Sequence, residues 1–156
     1  MSEIIEVVFE NISAEVGGLV LRDIINASSG LVELKCGASS LIHSGERGVL
    51  LPANVDAITG NLQSLRVSSQ HKLCNVGVRM FRHDGLVDVE LNWNTDAASD
   101  EDSIILSVFE FSKSLARNRG VKSFYGGIEP AVDEETRFFT GAKMGPLALK
   151  NLSQGT

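Results

Sequence analysis

Two carboxylates spaced two residues apart, Asp88 and Glu90, sit in a stretch that carries acids without any base to relieve them. Between Arg82 and Lys113 there is no Lys or Arg, while Asp84, Asp88, Glu90, Asp96, Asp100, Glu101, Asp102 and Glu110 all fall there. Three kinds of chemistry use carboxylates in this way. A pair can flank a glycosidic bond, although any acidic strand offers such a pair. A calcium loop could draw on Asp96, Asp100 and Asp102, but the turn glycine and the bidentate Glu of such loops are missing. The third use is docking of a basic protein partner, where a one-signed field steers association and adds specificity. Solvated surfaces normally mix signs. The plainer account is a wet strand face followed by acids that favour the positive end of a helix. On the docking reading the contact residues are Asp84, Asp88, Glu90, Asp96, Asp100, Glu101 and Asp102.

Other reactive residues lack the spacing that catalysis needs. His43, His71 and His83 stand in three unrelated segments, each read as a loop or turn, and no H-E-x-x-H or H-x-E…C-x-x-C pattern is present. There is no G-x-S-x-G elbow. The glycine pairs 17–18 and 126–127 make neither a dinucleotide fingerprint nor a Walker loop. Cys36 and Cys74 form no C-x-x-C pair and read as buried free thiols. The expectation is a non-enzymatic binding protein without metal or cofactor.

The elements that must position these residues are legible from periodicity. Ile4 to Phe9 reads as an opening strand. Asn11 or Ser13 offers a cap for a helix over Ala14 to Ala27, with Val16, Leu19, Val20 and Ile24 at helical spacing. Gly17 and Gly18 weaken that helix unless its backbone packs close to something. Leu31 to Cys36 alternates as a half-buried strand. A polar stretch with Ser39 and Ser40 follows, and then a short apolar run from Gly48 to Leu51. Asn54 caps an expected helix carrying Val55, Ile58, Leu62 and Leu65. Val76, Val78 and Met80 then alternate up to His83-Asp84-Gly85, and Val87, Val89, Leu91 and Trp93 alternate after it. Asp-Gly between two such runs is a strong hairpin signal.

The strongest helix runs from about Asp102 to Asn118, capped by Ser99 or Asp100, with Ile104, Val108, Phe111 and Leu115 as its buried stripe. Val121 to Tyr125 reads as a strand, and Asp133 as the cap of a short helix through Phe139. Trp93, Val89, Val78, Ile104, Val108 and Leu115 are expected to share one core. The fold class is α+β, a mainly antiparallel sheet with helices packed on one face. One domain is expected over 1–149, with 150–156 a polar tail. At 156 residues, such a chain buries roughly two-thirds of its unfolded surface and needs no disulfide or metal to fold. With 14 basic against 20 acidic residues, nucleic acid is a disfavoured partner. The opening residues lack the pattern of a signal peptide, and no apolar run approaches a membrane span. A cytoplasmic location is expected.

The last block is Tyr125-Gly126-Gly127-Ile128-Glu129-Pro130, followed by Asp133-Glu134-Glu135-Thr136-Arg137-Phe138-Phe139. The glycines permit a bulge after a strand. Arg137 could reach back to Glu129 or Asp133. The structural reading is a bend, a cap and two core phenylalanines. The alternative is a recognition loop with Tyr125, Glu129 and Arg137 exposed to the partner. In size, acidity and this block, the chain resembles the small cytoplasmic immunity proteins of bacterial polymorphic-toxin systems. The resemblance implies an acidic α+β domain that binds and blocks one toxin, and it implies no catalytic residue. Two other readings stay open: a small-molecule-binding domain or enzyme with a pocket between sheet and helices, and a homo-oligomer built on an open sheet edge.

Overall fold

The hairpin announced by Asp84-Gly85 is the middle of the sheet. Residues 3–29, 33–36, 39–42, 56–95 and 101–147 are described by a computed structural model. Strands β6 (Lys72–His83) and β7 (Leu86–Asn94) pair antiparallel from His83↔Leu86 to Gly77↔Asn92. Asp84 and Gly85 both have positive φ, 48° and 79°, as a tight two-residue hairpin turn requires. β1 (Ile4–Ile12) adds beside β7, and β5 (Ala57–Arg66) beside β6. Beyond β1 come β8 (Ser123–Ile128), β9 (Arg137–Thr140) and β10 (Lys143–Met144). On the other side lie β2 (Ser28–Ser29), β3 (Glu33–Cys36) and β4 (Ser39–Ile42). The order is β10-β9-β8-β1-β7-β6-β5-β3-β4, with β2 also on β5, and every pairing is antiparallel.

Both helices cover one face. α1 (Ala14–Asn26) starts at Ser13, whose hydroxyl accepts the Val16 N–H at 3.2 Å. Gly17 lets α1 settle onto the hairpin, because a Cβ there would collide with Val87 Cγ2 and stand 3.3 Å from Met80 Sδ. α2 (Glu101–Arg119) buries Ile105, Val108, Phe109, Leu115 and Ala116. These meet Ile5, Val7 and Phe9 of β1 and Val87, Val89, Leu91 and Trp93 of β7 in one continuous core. Trp93 is buried, and Ile104 packs against the core half-covered. Arg119 ties the helices together with two charge-assisted bonds to Asp23, Nε to Oδ2 at 2.5 Å and an NH2 nitrogen to Oδ1 at 2.8 Å.

The α+β class and the shared core are as expected, but four local readings need correction. Ile58, Leu62 and Leu65 lie on strand β5, not on a helix. Asn75 (φ 55°) stands in β6 where the buried side of the hairpin changes parity, from Leu62 and Val76 to Leu65 and Leu73. That shift gives a strand the 4-then-3 spacing of a helix. Ser39 and Ser40, read only as part of a polar stretch, belong to strand β4. Asp133 precedes only a single 3-10 turn, Glu134–Thr136, without a side-chain cap bond, and Phe138 and Phe139 lie on β9. Cys74 is exposed; only Cys36 is buried. The run 48–51, the caps Asn54, Ser99 and Asp100, His43 and the tail 150–156 lie outside the described residues.

Candidate partner-binding face

Strand alternation sends one set of side chains into the helices and the other away from them. On the face turned from the helices, β1 presents Ile4, Glu6, Val8 and Glu10, and β7 presents Asp88, Glu90, Asn92 and Asn94. β6 adds Arg79, Phe81 and His83. The register fixes the neighbours: Glu90 lies between Val8 and Arg79, and Val8 lies beside Tyr125. Glu6 lies between Asn92 and Gly127.

The carboxylates on this face differ in how they are held. Asp88 accepts the Asn11 N–H at 2.9 Å, because a bulge between Phe9 and Ile12 turns that amide outward. It also meets His83 Nε2 at 2.6 Å, and this bond is the main reason that the His83 pKa is raised. Glu10 accepts from Ser123 Oγ at 2.6 Å, and Glu6 from the Ala131 N–H at 2.7 Å. Glu90 has the weakest support, with Arg79 Nε at 3.8 Å. Burial raises its pKa; Arg79 opposes that, and the neighbouring charges of Glu6, Asp88 and Glu129 add to it. The fold holds a carboxylate where its environment disfavours ionisation.

A lip of chain closes one side of the face. After β8, residues 129–136 fold back so that Ala131 is fully buried on Val8 and Tyr125. Arg137 fastens the lip. Its Nε donates to the Ala131 carbonyl at 2.7 Å, one terminal nitrogen reaches the Val132 carbonyl at 3.3 Å and the other Thr140 Oγ1 at 3.3 Å. The guanidinium sits 3.9 Å from the Tyr125 ring centroid, a cation–π contact. Burial first, and then Glu10, push the Tyr125 hydroxyl up to about 12. Tyr125 is the only tyrosine, so absorbance near the tyrosinate band reads it alone. The neutral phenol is favoured in the fold, so its contribution to stability is complete below about 10, the unfolded value, and is lost between 10 and about 12. The expected titration midpoint is near 12 in the folded protein; a midpoint near 10 would contradict this environment.

The structure divides the acidic stretch read from the sequence. Asp88 and Glu90 reach the open face, and Asp84 is exposed at the hairpin turn. Glu101 and Asp102 lie on the first turn of α2, across the chain's crossing to the helix-covered side, and Asp102 is 4% exposed. Glu110 pairs with Lys113 at 3.1 Å. Asp96 and Asp100 lie outside the described residues. Tyr125 is buried rather than presented, Arg137 bonds backbone carbonyls rather than Glu129 or Asp133, and Glu129 is exposed. Sequence reasoning missed Glu6 and Glu10. Their signal was the alternation Glu6-Val8-Glu10 within the first strand, which places both on the face opposite Val7 and Phe9.

A model of the PABL017 Cdi1I immunity protein family matches residues 3–144. The chain belongs to this immunity protein family. It is also similar to a chain in the 1.75 Å crystal structure of the toxic C-terminal tip of CdiA from Pseudomonas aeruginosa in complex with immune protein, at 27% identity and a TM-score of 0.76. That match covers 95% of this chain and 100% of the other. No curated protein matches. The family bears out the expectation of an immunity protein, a non-enzymatic inhibitor rather than a catalyst.

Elsewhere in this immunity protein, the reactive side chains have structural work. His71 Nδ1 lies 2.8 Å from Ser107 Oγ, which is 3.1 Å from Ser68 Oγ, and the trio fastens the β5–β6 turn to α2. Among the described residues no group of His, Cys, Asp and Glu is placed to hold a metal ion. A cavity of about 230 Å³ lies between Ile5, Leu73, Trp93, Ile104 and Ile105, with Lys72 and Glu101 among its lining residues. It is smaller than the roughly 300–1,000 Å³ of ordinary ligand pockets. No helix among the described residues is long and apolar enough to cross a membrane.

Proposed function

We propose that this protein binds a toxin domain of the kind found at the C-terminal tip of CdiA and neutralises it in the cytoplasm, and that the toxin docks on the open face of the sheet. Membership of an immunity family supports the inhibitory role, and the similar chain comes from a complex between a CdiA tip and its immune protein. The observation that carries the choice of surface is the charge of the two faces. On the helix side, Asp23 pairs with Arg119 and Glu110 with Lys113. On the open face Glu6, Glu10, Asp88, Glu90 and Glu129 outnumber the cations Lys35, Arg79 and Arg137, with His83 beside Asp88, and Glu90 is kept at a cost to the fold. The partner is therefore basic where it meets β1 and β7. Asp84 extends this surface at its turn; Glu101 stands at the start of α2, apart from it.

The test pairs affinity with stability. Calorimetric titration with a cognate CdiA-type toxin tip should show the Glu90→Gln, Glu129→Gln double variant binding at least tenfold more weakly, about 1.4 kcal/mol. Its binding should also depend less on salt. Unfolding should be no easier than in the wild type, because Gln at 90 removes a charge that its surroundings disfavour. Glu110→Gln, on the helix side, should leave affinity unchanged. Equal affinity in all three proteins would remove the toxin from the open face.

A further inference from the structure

The segment from Glu129 to Thr136 has almost no regular structure, yet its backbone is fastened at several points. Its Glu129 N–H donates to the Ile4 carbonyl at 2.9 Å, and its Ala131 N–H to Glu6. The Thr136 hydroxyl lies within hydrogen-bond reach of the Pro130 and Asp133 carbonyls, at 2.9 and 2.7 Å. Arg137 holds the Ala131 and Val132 carbonyls from below. A loop ordered in this way loses little entropy when a partner binds it.

At its outermost point is Val132, 64% exposed, more than Ile4 at 43%, Met144 at 42% or Leu86 at 37%. In the same segment Glu129, Asp133, Glu134 and Glu135 are all exposed. An exposed apolar residue among exposed acids of the same short segment, on a stiff support and continuous with Glu6 of the open face, has the layout of an interface anchor and its rim. Nothing in the fold uses the Val132 side chain. Arg137, in contrast, has all three guanidinium nitrogens turned to groups of its own chain.

We propose that this lip is the specificity element of the toxin site, with Val132 as its apolar anchor and Arg137 as the residue that positions it. The inference rests on the reading of the open face as the toxin site. The matching surface on the toxin is an apolar patch bordered by Lys and Arg. Arg137 is a positioning residue here, not a partner contact.

A double-mutant cycle separates these roles. Val132→Asn should weaken binding of a cognate CdiA-type toxin tip at least tenfold, with an unchanged melting temperature. Arg137→Lys keeps the charge but loses the planar fork, and should also weaken binding. If Arg137 acts by placing Val132, it should add little once Val132 is Asn, so the two losses should fall well short of additive. Full additivity overturns the positioning role. Undiminished affinity of Val132→Asn, with Glu90→Gln, Glu129→Gln still impaired, overturns the anchor and leaves the open face as the toxin site. Failure of the wild type to bind the tip at all defeats that broader reading, and this inference with it.

Discussion

Trp93→Ala is expected to lower the free energy of unfolding by about 3 kcal/mol, the low end of the range for large aromatic truncations in a core. Trp93 lies opposite Ile5 in the sheet and is 6% exposed, at the end of β7 where α2 begins. It shares the wall of the cavity with Ile5, Leu73, Ile104 and Ile105. Two contributions set the size of the loss. Returning an indole to water costs the transfer free energy of a large apolar surface. The space left behind adds a cavity cost, but here it joins a hollow that already exists beside Lys72 and Glu101, so water can enter it. The second contribution is therefore reduced while the first stays whole. Against a total of about 5–15 kcal/mol for a domain, the loss is large. Trp93 is the only tryptophan, so the variant must be followed by circular dichroism in urea, with Trp93→Phe as a milder control. A change under about 1 kcal/mol would contradict the packing at this end of the sheet.

The same residue shows what the sequence made legible. Trp93, Val89 and Val78 fall on one side of two alternating runs, and Asp84-Gly85 between them fixes the register, so the hairpin and its covered face follow from local rules. α1 and α2 were equally clear, because Ser13, the acids at Glu101 and Asp102, and the apolar stripes all agree. β5 carries helix-like spacing because a positive φ at Asn75 changes which side is buried, and neither spacing nor propensity reports a partner strand's kink. Gly60 was the dissenting sign, a poor residue for a helix interior.

The site was harder to read than the fold. A run of acids along the chain is a surface only if the chain stays on one face, and this chain passes from β7 to α2 on the other side of the sheet. The acidic face is assembled instead by sheet order, which places β1 beside β7 and so adds Glu6 and Glu10 to Asp88 and Glu90. Strand order is the piece of information that periodicity does not contain.

Gly127→Ala is the second substitution with a large expected effect, about 2–3 kcal/mol, from forced overpacking. Gly127 stands opposite Arg137 where the β8–β9 register shifts, so the two backbones approach closely. A Cβ at this position would overlap the Thr136 carbonyl oxygen and lie 2.6 Å from Arg137 Cα and 2.9 Å from the Thr136 carbonyl carbon. All three obstacles are backbone, so no rotamer change relieves them. At Gly126 the obstacle is the Phe139 ring, with Cζ at 2.5 Å, and at Gly120 there is nothing within 4 Å. Gly120→Ala meets only the cost of its positive φ, on the order of 1 kcal/mol, and serves as the control. The strain at 127 has an exit, because Thr136 ends the lip and Arg137 starts β9. Moving them away lifts Arg137 from Tyr125 and opens the tyrosine to water. The Tyr125 midpoint should then fall from about 12 towards 10, while Trp93, on the other side of the sheet, keeps its buried emission. If Gly127→Ala unfolds at the wild-type urea midpoint and its tyrosine still titrates near 12, the close approach of β8 and β9 is not what the glycine is for. Weaker toxin binding by the same variant, without loss of the Trp93 signal, is the expected companion result, since the lip and the acidic face meet at this bulge.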